Sequence, residues 1–83
     1  LGARQIGALA FGIAQKCVAD SVLVPDDAIR AAQKFLWDRL RIAAEPGGAT
    51  ALAALLSGGY RPAPDERVGV PVCGGNLDLS VLA

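Results

Sequence analysis

Between Arg4 and Val18 the apolar residues Ile6, Leu9, Ala10, Ile13, Ala14 and Val18 recur at helical spacing, which predicts a first helix over this stretch. Gly7 and Gly12 lower its helix propensity by about 1 kcal/mol each and mark places of close packing. Ser21-Val22-Leu23-Val24 follows as a short β-branched run halted by Pro25, the pattern of a buried strand entering a turn. Pro25-Asp26-Asp27 is helix-starting chemistry, because the ring presets φ and the carboxylates accept the free N–H groups of a first turn. The second helix should run to about Ile42. Its apolar face is Ile29, Ala32, Phe35, Leu36 and Leu40, with Arg30, Lys34, Asp38 and Arg41 toward water and Lys34 and Asp38 as an i,i+4 pair.

Glu45-Pro46-Gly47-Gly48 opens a further segment in which Ala49 to Leu56 is apolar on nearly every side until Ser57-Gly58-Gly59 stops it. A helix apolar all round belongs inside a larger body. Tyr60 to Glu66, with Pro62 and Pro64 among charges, reads as a surface loop. Arg67 to Val72 then alternates as a strand, Pro71 placing an edge, end or bulge there because it has no N–H for the ladder. Gly74-Gly75 turns the chain sharply after it. Helix, strand, helix, helix, strand, turn is the order of an α/β layer protein. Two strands make no sheet, so their partners are expected elsewhere in a longer parent chain.

Composition supports that expectation. The chain has 83 residues, 53% hydrophobic and 19% charged, against about 25% charged in an average soluble domain. A chain this short buries only about 60 to 65% of its unfolded surface, so an excess of apolar residues implies surface that something else covers. It begins at Leu1 and contains no methionine, which reads as a processed product, a proteolytic piece or a segment of something longer.

Basic and acidic residues balance at eight each and are interspersed, leaving no electrostatic footprint for nucleic acid. No histidine is present and Cys17 and Cys73 stand far apart, so the usual zinc patterns cannot be built and no metal ligand is assigned. Free thiols in a cytoplasmic protein are the favoured reading, with a single disulfide left open. Ile6 to Val18 is shorter than the roughly 20 residues that cross a bilayer and lacks signal-peptide flanks, so no membrane or export role is indicated.

The candidate chemistry lies at Val72-Cys73-Gly74-Gly75-Asn76, where a glycine turn follows a strand end and lets a ligand approach backbone. Taken alone, this stretch reads as a tight turn carrying a small buried thiol. In order along the chain, however, Val18 to Ile29, Leu36-Trp37-Asp38-Arg39-Leu40, Glu45-Pro46-Gly47-Gly48-Ala49 and Val72-Cys73-Gly74-Gly75-Asn76 resemble the last third of the pyridoxal-phosphate-dependent threonine/serine dehydratases. The resemblance covers nearly the whole chain, and serine racemases share that fold.

The resemblance implies a C-terminal segment of the large, cofactor-binding domain of a fold type II enzyme, tryptophan synthase β-like and layered α/β/α. It implies a cytoplasmic, homo-oligomeric lyase of amino-acid metabolism that dehydrates and deaminates a small hydroxy-amino acid to a 2-oxo acid and ammonia. Cys73, where the family usually has serine, would hydrogen-bond the cofactor's pyridine nitrogen. Gly74 and Gly75 would let backbone lie against the ring, and Asn76 would hold the turn through side-chain to backbone bonds. Glu45 matches the family's glutamate near the ring's polar edge, although a carboxylate at a helix N-terminus is also an ordinary stabilising placement. Ala3 and Arg4 fall where the large domain approaches the substrate in relatives.

The departure from the family pattern is by omission. The Schiff-base lysine, the glycine-rich phosphate loop and the small domain lie upstream in the family, and Lys16 and Lys34, on polar helix faces, are no substitutes. The segment alone is therefore expected to be inert, with no catalytic residue of its own. Only Leu77 to Ala83 follow Asn76, which fits the short catabolic type of dehydratase. Two alternatives stand beside this reading: a serine racemase or related hydroxy-amino-acid dehydratase of the same fold, and a non-enzymatic module docking through its apolar helix faces.

Overall fold

The computed structural model describes residues 3–82. Among them are the helices α1 (Ala8–Cys17), α2 (Asp26–Leu40) and α3 (Pro46–Leu56), followed by a 3-10 turn at Leu79–Leu82. Pro25 is the N-cap of α2, and Asp26 and Asp27 occupy its first turn, where their charge meets the positive end of the helix dipole. At the other end Arg41 adopts the left-handed conformation, φ 54° and ψ 37°, and the Ile42 N–H donates back to the Leu36 carbonyl at 3.1 Å. This reversal lays α3 against α2. Pro46 opens α3 at a position where its missing N–H costs nothing.

The core is the seam between α2 and α3. Ile29, Ala32 and Leu36 of α2 meet Ala49 and Ala53 of α3 and Ala44 of the link, with Val24, Ala28 and Leu52 packed at the margin. The buried stripe of α2 is Ile29, Ala32, Gln33 and Leu36, a clean i, i+3, i+4, i+7 face. It is narrower than the apolar face expected from the sequence. Phe35 and Leu40 remain 37% and 59% exposed, and Gln33 takes an inward position instead. The Lys34 and Asp38 pair forms as expected at 3.6 Å, on the outer face.

The expected strands are corrected. Among the described residues no strand forms, and 21–24 and 67–72 run without a ladder. A strand exists only through a partner's hydrogen bonds, and neither segment finds one here. Leu23, expected to be buried, is 94% exposed. α1, shorter than expected at both ends, buries none of its residues and leaves Leu9, Phe11 and Ile13 open. The α/β layering is thus not present within these residues, which form a packed helix pair with unpaired segments around it.

Candidate functional site

The link 41–45 delivers Glu45 to the N-cap of α3, where its side chain makes no capping hydrogen bond. The carboxylate lies instead against the α-carbon of Gly74, so that a Cβ at Gly74 would run into it. Gly74 has φ +78°, a conformation glycine adopts without strain. From the backbone of the same residue, the Glu45 N–H donates to the Gly74 carbonyl at 2.9 Å.

Two further glycines complete the junction. Gly48 is buried in the first turn of α3, and a Cβ there would collide with the Cys73 carbonyl oxygen. A Cβ on Gly75 would sit 3.4 Å from the carbonyl oxygen of Ala43. The segments Ala43–Gly48 and Cys73–Gly75, distant in sequence, therefore interlock through backbone and the Glu45 carboxylate. Closeness of this kind is possible only where side chains are missing.

All of the residues expected at the cofactor end are thus gathered in one place, with two corrections. Cys73 is exposed and free of a disulfide, not a buried thiol, because it is its carbonyl that seats against α3. Asn76 is exposed, and the turn's hydrogen bonds are made by backbone, including Leu77 N–H to the Gly75 carbonyl at 2.9 Å. With Glu45, Pro46 and Gly47, Asn76 lines an open cleft of about 340 Å³. Ala3 and Arg4 lie exposed ahead of α1, and Lys16 and Lys34 are exposed on helix surfaces.

Chemically, the junction offers a carboxylate, an exposed thiol and an exposed carboxamide around a stretch of backbone bare of side chains. Beyond it, Asp78 accepts a hydrogen bond from the Ser80 N–H at 3.0 Å, which lowers its pKa and pins the start of the 3-10 turn. A separate cleft of about 210 Å³, lined by Asp26, Ile29, Arg30, Gln33 and Pro46, carries none of the expected site residues.

One contributor was missed in the sequence. Gln33 is the buried polar residue of the core, and its Nε2 donates to the Ala44 carbonyl at 2.9 Å. Its spacing, four after Ile29 and three before Leu36, was the available signal.

Comparison with known proteins finds this chain similar to segments of amino-acid dehydratases and racemases. It is 38% identical over 79 residues to serine racemase of Dictyostelium discoideum, covering 94% of this chain and 24% of that protein. It is 41% identical over 73 residues to phenylserine dehydratase of Ralstonia pickettii, covering 88% and 22%. To the catabolic L-threonine dehydratase of Escherichia coli K12 it is 41% identical over 75 residues, covering 89% and 23%. The chain is homologous to a segment of these proteins and spans about a quarter of the length of the curated relatives it matches. No family model and no solved structure matches it.

Proposed function

We propose that this chain is part of a pyridoxal-phosphate enzyme that dehydrates and deaminates a small hydroxy-amino acid such as threonine or serine, and that Glu45 and Cys73–Asn76 form one edge of its cofactor site. The observation that carries this reading is the close junction of Glu45–Gly48 with Cys73–Gly75, which brings the Glu45 carboxylate, the exposed Cys73 and Asn76 together beside an open cleft of about 340 Å³. When bound, pyridoxal phosphate supplies an electron-withdrawing ring that loosens the α-hydrogen and β-hydroxyl of an amino acid.

The work of this chain is to hold that ring and set its charge. Gly74 and Gly75 let this turn seat against the Glu45 carboxylate and the Ala43 carbonyl, which would fix this edge of the site in place. Cys73 would offer its S–H to the ring nitrogen, a softer hydrogen bond than an aspartate partner makes, which would leave the ring less positive and so favour elimination. Asn76 and the Glu45 carboxylate bound the polar rim. The remaining machinery, including the lysine that moves the α-proton, belongs to the rest of a parent chain. In that parent, 21–24 and 67–72 find sheet partners and the α/β/α layering of the large domain is complete. The exposed, free Cys17 and Cys73 suit a cytoplasmic setting.

The test is substitution of Cys73 in the complete enzyme. Cys73→Ser should keep most activity with threonine or serine, whereas Cys73→Asp should reduce 2-oxo acid and ammonia release at least about tenfold, a barrier increase near 1.4 kcal/mol. Equal activity of the two variants would overturn the role given to Cys73. Serine racemisation is the second reading, favoured by the similarity to the Dictyostelium racemase. Formation of D-serine rather than 2-oxo acid in the same assay would select it.

A further inference from the structure

The carbonyl of Ala44 and the N–H of Glu45 belong to a single peptide unit. The carbonyl accepts from Gln33 Nε2 at 2.9 Å, and the N–H donates to the Gly74 carbonyl at 2.9 Å. Ala44 is fully buried and Gln33 is 5% exposed, so the carbonyl end of this peptide is gripped away from water, while its N–H end joins half-buried Glu45 to exposed Gly74. Hydrogen bonds in series through one amide polarise one another, and each fixes the plane the other needs.

We propose that Gln33 is a positioning residue for the cofactor edge: through the Ala44–Glu45 peptide it sets the height and tilt of Gly74, and with it the Cys73 thiol. This rests on the functional reading above. Gln33 touches neither Cys73 nor the cleft at Asn76, and its action passes entirely through backbone. Three facts support a tuned part over incidental packing. An amide is the costlier choice at a position whose neighbours on the stripe, Ile29, Ala32 and Leu36, are apolar. Its donor is aimed at the one residue preceding Glu45. The link it grips also carries Ala43, whose carbonyl stands against Gly75.

The experiment compares Gln33→Met, Gln33→Glu and Ala53→Gly in the complete parent protein. Methionine keeps the length and loses the donor, while Ala53→Gly thins the same seam without touching the gripped peptide. Amide hydrogen exchange at Glu45 is read first, without cofactor. Gln33→Met should speed it at least about tenfold beyond the Ala53→Gly variant, which corresponds to about 1.4 kcal/mol. After correction for intrinsic rates, Gln33→Glu should be slow to exchange at low pH, where its carboxyl can donate, and fast once ionised. Pyridoxal phosphate retention is read second and should fall in the same order, with a shift in the bound cofactor's visible absorbance for Gln33→Met.

Glu45 exchange in Gln33→Met no faster than in Ala53→Gly overturns the proposal, as does loosened exchange with unchanged retention and absorbance. If Gln33→Met does not fold, the pH dependence of Gln33→Glu decides alone, a flat profile overturning it. Failure of the unmodified parent to take up pyridoxal phosphate sinks the functional reading instead, and the exchange result then judges the grip by itself.

Discussion

At Gly48 and Gly74 a single absent methyl decides whether the site can exist. A Cβ at Gly48 meets backbone, the Cys73 carbonyl, which has no rotamer to retreat into. At Gly74 the obstacle is the flexible Glu45 carboxylate, but the backbone is also at φ +78°. Gly48→Ala is therefore expected to cost about 3 kcal/mol, at the top of the range for overpacking, and Gly74→Ala about 1 to 2 kcal/mol for its left-handed conformation plus the displaced carboxylate. Adding Glu45→Ala should recover the second part of the Gly74→Ala loss and none of the Gly48→Ala loss. Denaturant unfolding of the four variants in the intact protein checks this, and equal recovery in both backgrounds would contradict the assigned contacts. These glycines were readable in the sequence as turn residues. Which of them faced backbone and which a side chain was not, because that depends on the approach of segments far apart along the chain.

Elements were legible where local chemistry fixes them and illegible where partners do. α2 starts at Pro25-Asp26-Asp27 as its caps dictate, and its Lys34–Asp38 pair forms. Its end was placed two residues late because nothing in the composition of Arg41 announces a left-handed reversal at a non-glycine residue. Gln33 lies on the buried stripe although its side chain is polar, and only its spacing between Ile29 and Leu36 marks it in the sequence. The two β-branched runs carry strand composition but no ladder among the described residues. The stretch from Tyr60 to Glu66 is exposed and irregular, the surface loop expected, and it is tied across itself as a strap. The Tyr60 hydroxyl donates to Glu66, which also accepts from the Ala63 N–H at 3.0 Å, and the Tyr60 N–H reaches the Ala54 carbonyl at 2.9 Å. The hydrogen bond to Glu66 raises the tyrosine pKa, and the bonds from Tyr60 and Ala63 lower that of Glu66. Glu66 thus holds the strap at pH above its ordinary 4.5 and releases it as pH falls through its lowered value. Tyr60 holds it below its ordinary 10.0 and releases it as pH rises through its raised value. Exchange of the Ala63 amide across pH should be slowest between these limits after correction for intrinsic rates. Tyr60→Phe should move the acid limit upward toward the ordinary glutamate value, and an unmoved limit would mean that the tyrosine bond does not form in solution.

The whole molecule exposes 6482 Å², against about 4,650 Å² for a compact monomer of 8.5 kDa. Its radius of gyration is 13.9 Å, where about 12 Å is usual for this length, and its extents are 39 × 34 × 18 Å. No helix among the described residues is long and apolar enough to cross a membrane. The most exposed large apolar side chains are Leu23, at 94%, and Leu9 of α1, at 81%. A ten-residue helix without tertiary contacts is below the roughly 12 to 15 residues at which isolated helices become even marginal in water. In the 83-residue segment prepared alone, α1 amides should exchange at nearly unprotected rates while those near Leu36 are slowed. In the intact parent both should be slowed. Protection of α1 in the dilute monomeric segment would refute the view that this face needs a cover. The seam has a different character: Ala32, Ala44, Ala49 and Ala53 are all fully buried, and alanine has no side-chain rotamer to lose or to change. At these four positions the joint has no side chain to rearrange, and its rotamer freedom lies in Ile29, Gln33 and Leu36 alongside. A displacement of α2 is therefore expected to reach Gly74 through the Ala44–Glu45 peptide with little room to be absorbed on the way.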